Sequence, residues 1–202
     1  MMENRRGTTT IGIVCKNGVI LAAEKKSTLG YLVASKEAQK IIKLSDYIAI
    51  TTAGSVGDNQ LLARIMRSEI KLFEIETGRR ISVRAAATLL SNILQSYKFF
   101  PFWVQLLMGG YDEYEGFKLF SLDMLGGMEE EKEYSATGSG MPFALGVLEA
   151  LYSKDIDVEN GKEIAIKAIK AAMERDIGSG GRGIDIAKIT QKGIEIETLT
   201  FK

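Results

Sequence analysis

Apolar and polar positions divide the chain into strand-like runs followed by pairs of helix-like segments. In the first quarter, β-branched and apolar runs predict four strands, over residues 8–16, 19–24, 41–44 and 47–52. Asn17-Gly18 separates the first two runs and predicts a hairpin whose two central residues have positive φ. The chain therefore begins with two predicted strand pairs.

The hydrophobic period changes after residue 54. Apolar side chains three and four positions apart predict a helix that ends at Gly78, and Ser82 is a suitable N-cap for a second helix. Later strands are predicted over residues 103–108, 117–122, 134–137, 184–190 and 194–201. Two further helices are predicted over residues 143–152 and 158–175.

This order of elements indicates the fold class. Strands, two helices, strands, two helices and strands do not follow the βαβ rhythm of a parallel sheet. The strands are apolar on both faces, as expected when both faces of a sheet are covered. We therefore predict an α+β fold, a four-layer α-β-β-α sandwich of two antiparallel sheets flanked by helix pairs. No Pro/Ser-rich linker divides the chain, so we expect one domain.

Composition narrows the possible partners. The 202 residues include 26 basic and 26 acidic side chains, so no net field favours nucleic acid or an anionic membrane. No apolar run reaches the roughly 20 residues that a bilayer requires, and residues 1–7 lack the apolar core of a signal peptide. The single cysteine, Cys15, lies in an apolar strand pattern and is expected to be a buried, inert thiol. We predict a cytoplasmic protein without a bound metal or cofactor.

The junction between Gly7 and Thr8 carries the candidate chemistry. The chain has no histidine, which excludes hydrolase mechanisms built on imidazole. If the chain is cut after Gly7, Thr8 carries both a hydroxyl nucleophile and a free α-amine that can act as its base. A threonine-rich strand start is common for structural reasons, because β-branched residues suit a pleated sheet. The junction alone therefore does not decide between the two interpretations.

This junction and several later motifs resemble the proteasome β-subunit signature, in the order and at the spacing found in that family. They are Gly7-Thr8-Thr9-Thr10, Lys40, Thr51-Thr52-Ala53-Gly54, Thr137-Gly138-Ser139-Gly140 and Arg175-Asp176-Ile177-Gly178-Ser179-Gly180-Gly181. Residues 87–92 (ATLLSN) and 101–107 (PFWVQLL) resemble the archaeal branch of that family. The resemblance covers the chain after Gly7, and it implies the four-layer fold of the N-terminal-nucleophile hydrolases.

The resemblance also implies roles for individual residues. Thr8 is the implied nucleophile, Glu24 and Lys40 an ion pair beneath it, and the Gly54 N–H the oxyanion donor. Ser139, Asp176 and Ser179 are implied to surround the α-amine of Thr8. Each of these positions also has a structural alternative: a surface lysine, a turn carboxylate, a helix N-cap or a carboxylate at a helix end.

The base can be predicted from ordinary pKa values. A free α-amine has a pKa of about 7.7 to 8.0, which suits proton transfer near neutral pH, whereas a lysine has a pKa of about 10.4. We expect Glu24 to raise the pKa of Lys40 further, so that Lys40 keeps its positive charge. The α-amine of Thr8, acting through water, is then the better proton shuttle.

The same chemistry predicts how the chain is processed and what it cleaves. Residues 1–7 are predicted to be a pro-segment, removed when Thr8 attacks the Gly7 carbonyl, and residues 8–202 the single peptidase domain. The resemblance implies a first specificity pocket lined by Ser27, Ala38, Ile42, Thr52 and Val56. None of these is charged, so we expect a neutral or apolar substrate side chain there. Thr28 is expected to offer backbone hydrogen bonds to an extended peptide.

The resemblance therefore implies a threonine endopeptidase, the proteolytic β subunit of an archaeal 20S proteasome. The resemblance implies a homo- or hetero-heptameric β ring, stacked on a second β ring and capped by α-subunit rings. Unfolded polypeptides would be its substrates, and a regulatory ATPase would act on the particle. Two alternatives are a non-catalytic structural β subunit that keeps its leader, and the two-ring bacterial relative with an ATPase partner.

Overall fold

A computed structural model of the chain describes residues 7–201, so residues 1–6 of the predicted pro-segment lie outside the described residues. The strands in this range are β1 (Thr10–Cys15), β2 (Gly18–Glu24), β3 (Ser27–Leu29), β4 (Leu32–Ser35), β5 (Ile41–Lys43), β6 (Ile48–Gly54), β7 (Val104–Asp112), β8 (Gly116–Leu122), β9 (Met128–Glu131), β10 (Tyr134–Thr137), β11 (Gly183–Thr190) and β12 (Gly193–Thr200). The helices are α1 (Val56–Thr77), α2 (Val83–Ser96), α3 (Met141–Leu151) and α4 (Val158–Arg175).

Ten of these strands form two five-stranded antiparallel sheets. The first has the order β10-β1-β2-β11-β12 and the second the order β5-β6-β7-β8-β9. Fully buried side chains from both sheets pack together between them, including Leu21 and Ala187 from the first and Ala49 and Leu107 from the second. The sheets therefore lie face to face.

A helix pair covers the outer face of each sheet. Leu62 of α1 and Leu90 of α2 share a buried apolar cluster with Ile50 of β6. On the opposite side, Leu148 of α3 and Ile169 of α4 join the cluster that contains the β1 and β2 side chains. The predicted α+β architecture, a four-layer α-β-β-α sandwich, is confirmed.

Local sequence signals account for several of the helix ends. Ser82 Oγ accepts a hydrogen bond from the Ala85 N–H at 3.1 Å, so the predicted N-cap of α2 is confirmed. Gly78 ends α1 in the left-handed conformation, with φ of 68°, as glycine does at many helix C-termini. The predicted limits of α4 are also confirmed.

The first hairpin forms, but the prediction for its turn is wrong. Cys15 pairs with Gly18, so the two turn residues are Lys16 and Asn17, and Gly18 is the first residue of β2. Neither Asn17 nor Gly18 has positive φ. The Asn17 side chain instead accepts a hydrogen bond from the Val158 N–H at 3.0 Å. A tertiary contact with the start of α4 therefore accompanies a turn that the local signal did not predict.

The hydrophobic pattern missed three strands, β3, β4 and β9. Strands β3 and β4 pair with each other in a small separate sheet, where Leu29, Leu32 and Val33 are exposed. They are only 3 and 4 residues long, so no extended apolar run marks them. Strand β9 carries consecutive glutamates. Glu130 is accommodated there by ion pairs with Arg84 and Lys118. Cys15 is buried, as predicted, and burial raises the pKa of its thiol to about 12.

Candidate active site

The first strand fixes Thr8 where the two sheets meet. Thr10, the first residue of β1, forms side-chain hydrogen bonds with Thr51 of the second sheet at 2.8 Å and with Thr137 of β10 at 2.7 Å. All three threonines are buried. The β-branched run predicted to favour a strand therefore also joins both sheets, two residues from Thr8.

The hydroxyl of Thr8 is buried between two polar groups. Its Oγ1 donates a hydrogen bond to the Gly7 carbonyl oxygen at 2.7 Å and accepts one from Lys40 Nζ at 3.0 Å. Lys40 stands directly before β5, and its side chain is buried rather than solvated. A donor next to a hydroxyl oxygen stabilises negative charge on that oxygen, so this contact favours ionisation of the hydroxyl.

Lys40 is paired with Glu24, the last residue of β2. Lys40 Nζ forms an ion pair and hydrogen bond with Glu24 Oε1, which also accepts the Thr9 N–H at 3.2 Å. Glu24 Oε2 accepts the N–H groups of Lys26 at 2.6 Å and Gly180 at 3.1 Å. The carboxylate is fully buried, and both of its oxygens have hydrogen-bond donors.

Burial has the largest effect on the pKa of each member of this pair. It raises the pKa of Glu24 and lowers the pKa of Lys40, while the attraction between the two opposes both changes. The sequence-based expectation was correct that Glu24 raises the pKa of Lys40. It was wrong about the net change in that pKa, because burial lowers it by more. The sequence does not reveal how deeply Lys40 is buried.

Ser139, Asp176 and Ser179 lie together on the other side of Thr8. The Thr8 N–H donates to Ser139 Oγ at 3.2 Å. The hydroxyls of Ser139 and Ser179 both donate to Asp176 Oδ2, each at 2.6 Å. Ser179 is also 2.6 Å from the Thr9 hydroxyl. A continuous hydrogen-bonded path thus runs from the Thr8 nitrogen to a carboxylate.

The sequence left open a purely structural role for Ser139, as a helix N-cap, and for Asp176, as a carboxylate at a helix end. Ser139 does not cap α3, since Gly140 is the N-cap residue and no side chain caps that end. Asp176 follows the last residue of α4, and its backbone N–H bonds to the Ala172 carbonyl. The side chain of Asp176 is directed to the two serines rather than used as a cap.

Gly54 ends β6 beside Thr8 in a conformation that suits glycine alone. Its φ is +110°, and a Cβ there would lie 2.1 Å from the Trp103 carbonyl oxygen. Gly54 lines the same cleft as Gly7 and Thr8. Gly7 in turn packs against the backbone of Gly178, since a Cβ on Gly7 would lie 1.9 Å from the Gly178 Cα.

The cleft beside Thr8 has a volume of about 770 Å³. All six residues predicted to bind substrate line it: Ser27, Thr28, Ala38, Ile42, Thr52 and Val56. The Thr28 hydroxyl accepts a hydrogen bond from the Gly7 N–H at 3.1 Å. The segment before Thr8 therefore already makes one polar contact with a cleft residue.

Sequence reasoning missed Asn59 and Lys26. Asn59 lines the cleft from α1, three residues after Val56, so the helical period was the signal that could have identified it. Lys26 Nζ donates to the Ile177 carbonyl oxygen at 2.7 Å and ties the segment between Asp176 and Ser179 to the end of β2. Its position two residues after Glu24 was the only hint.

Within residues 7–201, no three Cys, Asp or Glu side chains are grouped so that they could hold a metal ion. Over the same residues, no helix combines the length and apolar character needed to cross a bilayer.

Comparison with known proteins agrees with this fold. Residues 4–189 match the family described as proteasome subunit. The chain is 56% identical to a proteasome subunit beta of Methanocaldococcus fervens and to one of Methanocaldococcus jannaschii, covering 96% of this chain and 87% of each relative. It is 53% identical to a proteasome subunit beta of Archaeoglobus profundus, covering 93% of this chain and 86% of the relative. The chain therefore belongs to the proteasome subunit family.

Proposed function

We propose that this chain is a catalytic β subunit of a 20S proteasome core, a threonine endopeptidase whose nucleophile is Thr8. The observation that carries the proposal is the position of the Thr8 hydroxyl, within hydrogen-bond distance of Lys40 Nζ and of the Gly7 carbonyl. The α+β sandwich and the similarity to β subunits of three archaea support the same assignment.

The first reaction is removal of residues 1–7. The Thr8 Oγ attacks the Gly7 carbonyl carbon, and the peptide bond to the Thr8 nitrogen breaks as an ester to Oγ forms. The hydroxyl proton passes to the departing nitrogen, and water then hydrolyses the ester. The products are a carboxylate at Gly7 and a free α-amine at Thr8.

Peptide hydrolysis repeats these steps on a substrate held in the cleft. The α-amine of Thr8, with an ordinary pKa of about 7.7 to 8.0, takes the hydroxyl proton. The path through Ser139 to Asp176 orients that amine, and the Asp176 carboxylate stabilises the positive charge that it gains. The Gly54 N–H is the proposed donor to the oxyanion, and water releases the acyl group from Thr8.

Lys40 acts on the Thr8 oxygen in both reactions. Its Nζ donates to Oγ1, and this contact stabilises the developing alkoxide. Burial lowers the pKa of Lys40, and the attraction of the paired Glu24 carboxylate opposes that change.

The assembly is part of the proposal. We infer a seven-membered β ring, stacked on a second β ring and capped by rings of α subunits, so that unfolded polypeptides are cut in an enclosed chamber. A regulatory ATPase would deliver them, in the cytoplasm that the sequence predicts. The alternative, a β subunit that serves only as scaffold, is disfavoured because Thr8, Lys40 and Asp176 are all retained and hydrogen-bonded around one point.

The N-terminus and the activity of the assembled particle test the proposal together. Mass spectrometry of the purified wild-type subunit should give a chain that begins at Thr8. Thr8→Ala should retain residues 1–7 and lose peptide hydrolysis by at least ~10³-fold, because the acyl ester cannot form. Thr8→Ser, the matched control, keeps the hydroxyl and should keep both reactions. Normal processing or hydrolysis in Thr8→Ala would refute the mechanism.

A further inference from the structure

The cleft beside Thr8 extends well beyond the catalytic residues along one face of α1. The helix residues that line it run from Val56 to Arg67, mostly at spacings of three and four positions. At about 1.5 Å per residue, this stretch of helix is about 16 Å long. Gly54, which lies beside Thr8, stands just before the start of α1. Arg67 therefore marks the end of the cleft that is far from the nucleophile.

This far end carries positive charge and no carboxylate. Arg64 and Arg67 both line the cleft there, and both are exposed. Over the described residues 7–201, no aspartate or glutamate lines the cleft, and neither arginine forms an ion pair. The other cation of the cleft, Lys40, is already paired with Glu24. The two arginines are therefore the positive charges that a ligand in the cleft can reach.

The arrangement of the two arginines on the helix favours an anionic ligand. Arg64 and Arg67 are three positions apart, and Lys71 follows four positions later, so like charges are neighbours on one face. No acidic residue stands three or four positions from either arginine. Arg67 Nε donates to the Lys43 carbonyl oxygen at 2.7 Å, which fixes that side chain through one of its five donors. An anion bound beside the two guanidinium groups would reduce their repulsion.

A carboxylate is the anion that a polypeptide substrate supplies, and its geometry matches that of a guanidinium group. Gly7 precedes the scissile bond of this chain and lines the same cleft, so the cleft takes the part of a substrate N-terminal to the cut. Arg64 and Arg67 lie about 12 and 16 Å along the helix from Val56, a residue of the predicted first pocket. An extended chain covers that distance in about four or five residues.

We propose that Arg64 and Arg67 form a second subsite, which binds an acidic side chain four or five residues N-terminal to the residue in the first pocket. The inference rests on the proposed peptidase function. It adds a charged determinant of specificity to the neutral first pocket. An acid in the first pocket itself gains nothing from these arginines, because it lies near Val56.

A peptide series on the wild-type particle provides the first test. Each fluorogenic peptide has the same apolar residue before the scissile bond and carries either Glu or Gln at one position further back. The Glu/Gln ratio of kcat/KM should be about three to five when that position is four or five residues back, and about one when it is next to the apolar residue. The ratio should fall as salt concentration rises. A ratio of one at both distant positions would overturn the inference.

Substitution of the arginines provides the second test. Arg64→Gln combined with Arg67→Gln removes both charges, so the Glu/Gln ratio should fall to about one. Lys154→Gln combined with Lys167→Gln is the matched control, because it removes two exposed positive charges outside the cleft and should keep the wild-type ratio. Arg64→Lys combined with Arg67→Lys keeps both charges and should retain most of the preference. An unchanged ratio in the glutamine variant, or a lost preference in the arginine-to-lysine variant, contradicts the role.

The same measurements separate this inference from the function on which it rests. If no peptide is hydrolysed in a Thr8-dependent manner, the proposed function is wrong and the inference fails with it. If the Glu and Gln peptides are hydrolysed through Thr8 at equal rates, the function stands and only the second subsite is refuted.

Discussion

The two sides of Thr8 differ in their polar content. On the catalytic side, Glu24 accepts four hydrogen bonds and Asp176 accepts one from each neighbouring serine. On the cleft side, the wall is largely small or apolar. Groups that stabilise charge at a fixed atom benefit from being held in place, whereas a wall that meets variable substrate side chains supplies mainly shape and apolar surface.

The largest effect is expected where the catalytic side loses a charge. Asp176→Asn keeps the shape of the side chain but removes the carboxylate that supports a protonated Thr8 amine, so kcat should fall by ~10²- to 10³-fold. Asp185→Asn is the matched control, since Asp185 is a buried carboxylate paired with Lys25 away from Thr8. It should affect stability rather than kcat per folded subunit. Equal losses of kcat in both variants would show that Asp176 is structural.

Removing one member of the buried ion pair should cost stability as well as activity. Lys40→Met leaves the Glu24 carboxylate buried without its cation and should lower the free energy of unfolding by about 3 kcal/mol. Glu24→Gln combined with Lys40→Met removes both charges and should recover most of that loss. Urea denaturation of the three chains measures the difference, and a double variant as unstable as the single one would contradict the explanation.

The pH dependence of Lys40→Met follows from the direction of the Glu24 pKa. Burial raises that pKa above its ordinary 4.5, so stability is greatest below about 4.5 and falls as pH rises through the folded-state value. The denaturation midpoint of Lys40→Met should therefore decrease as the pH rises above about 4.5. The double variant, which lacks the carboxyl, should show no such decrease at this site.

A smaller effect is expected at the junction between the two sides. In Gly7→Ala, the new Cβ would lie 1.9 Å from the Gly178 Cα, so the peptide bond to be cut must move away from its present position beside Thr8. A displacement of this kind slows a positioned reaction by up to about 10²-fold. The rate of leader removal, followed by mass spectrometry, should fall accordingly. The processed chain no longer contains residue 7, so its peptide hydrolysis should equal that of wild type.

The smallest effect concerns the cleft side. The residues predicted to form its first pocket are uncharged, so peptides with a large apolar residue before the scissile bond should be cut roughly tenfold or more faster than peptides with Arg or Asp. Comparison of kcat/KM across a matched peptide series measures this. Faster cleavage after Arg or Asp would show that another part of the cleft binds that side chain.

Local sequence signals predicted the regular parts of this molecule well. Continuous β-branched and apolar runs located the core strands, the 3.6-residue period located α4, and Ser82 and Gly78 marked two helix ends correctly. These signals failed where strands are exposed or carry charged side chains, as in β3, β4 and β9. They also failed at Asn17, whose side chain bonds to a residue 141 positions away.

The candidate site was likewise predicted only in part. The residue types around Thr8, and the absence of histidine, followed from the sequence and its resemblance to a family. The net direction in which the Lys40 pKa shifts did not follow from the sequence, because it depends on how many atoms from distant segments cover that side chain. Asn59 was missed because only the packing of α1 in the folded chain places its face in the wall of the cleft.

By itself, then, the sequence determined the helices and the core strands, and it showed which side chains can supply a nucleophile, a cation and carboxylates. Both depend on local period and on chemical type, which can be read from the chain directly. Only the tertiary structure decided that Lys40, 32 residues from Thr8, and Ser139, 131 residues from it, lie within hydrogen-bond distance of one threonine. Such distances arise from the packing of two sheets against each other, and burial then shifts the pKa values of the polar groups that they bring together.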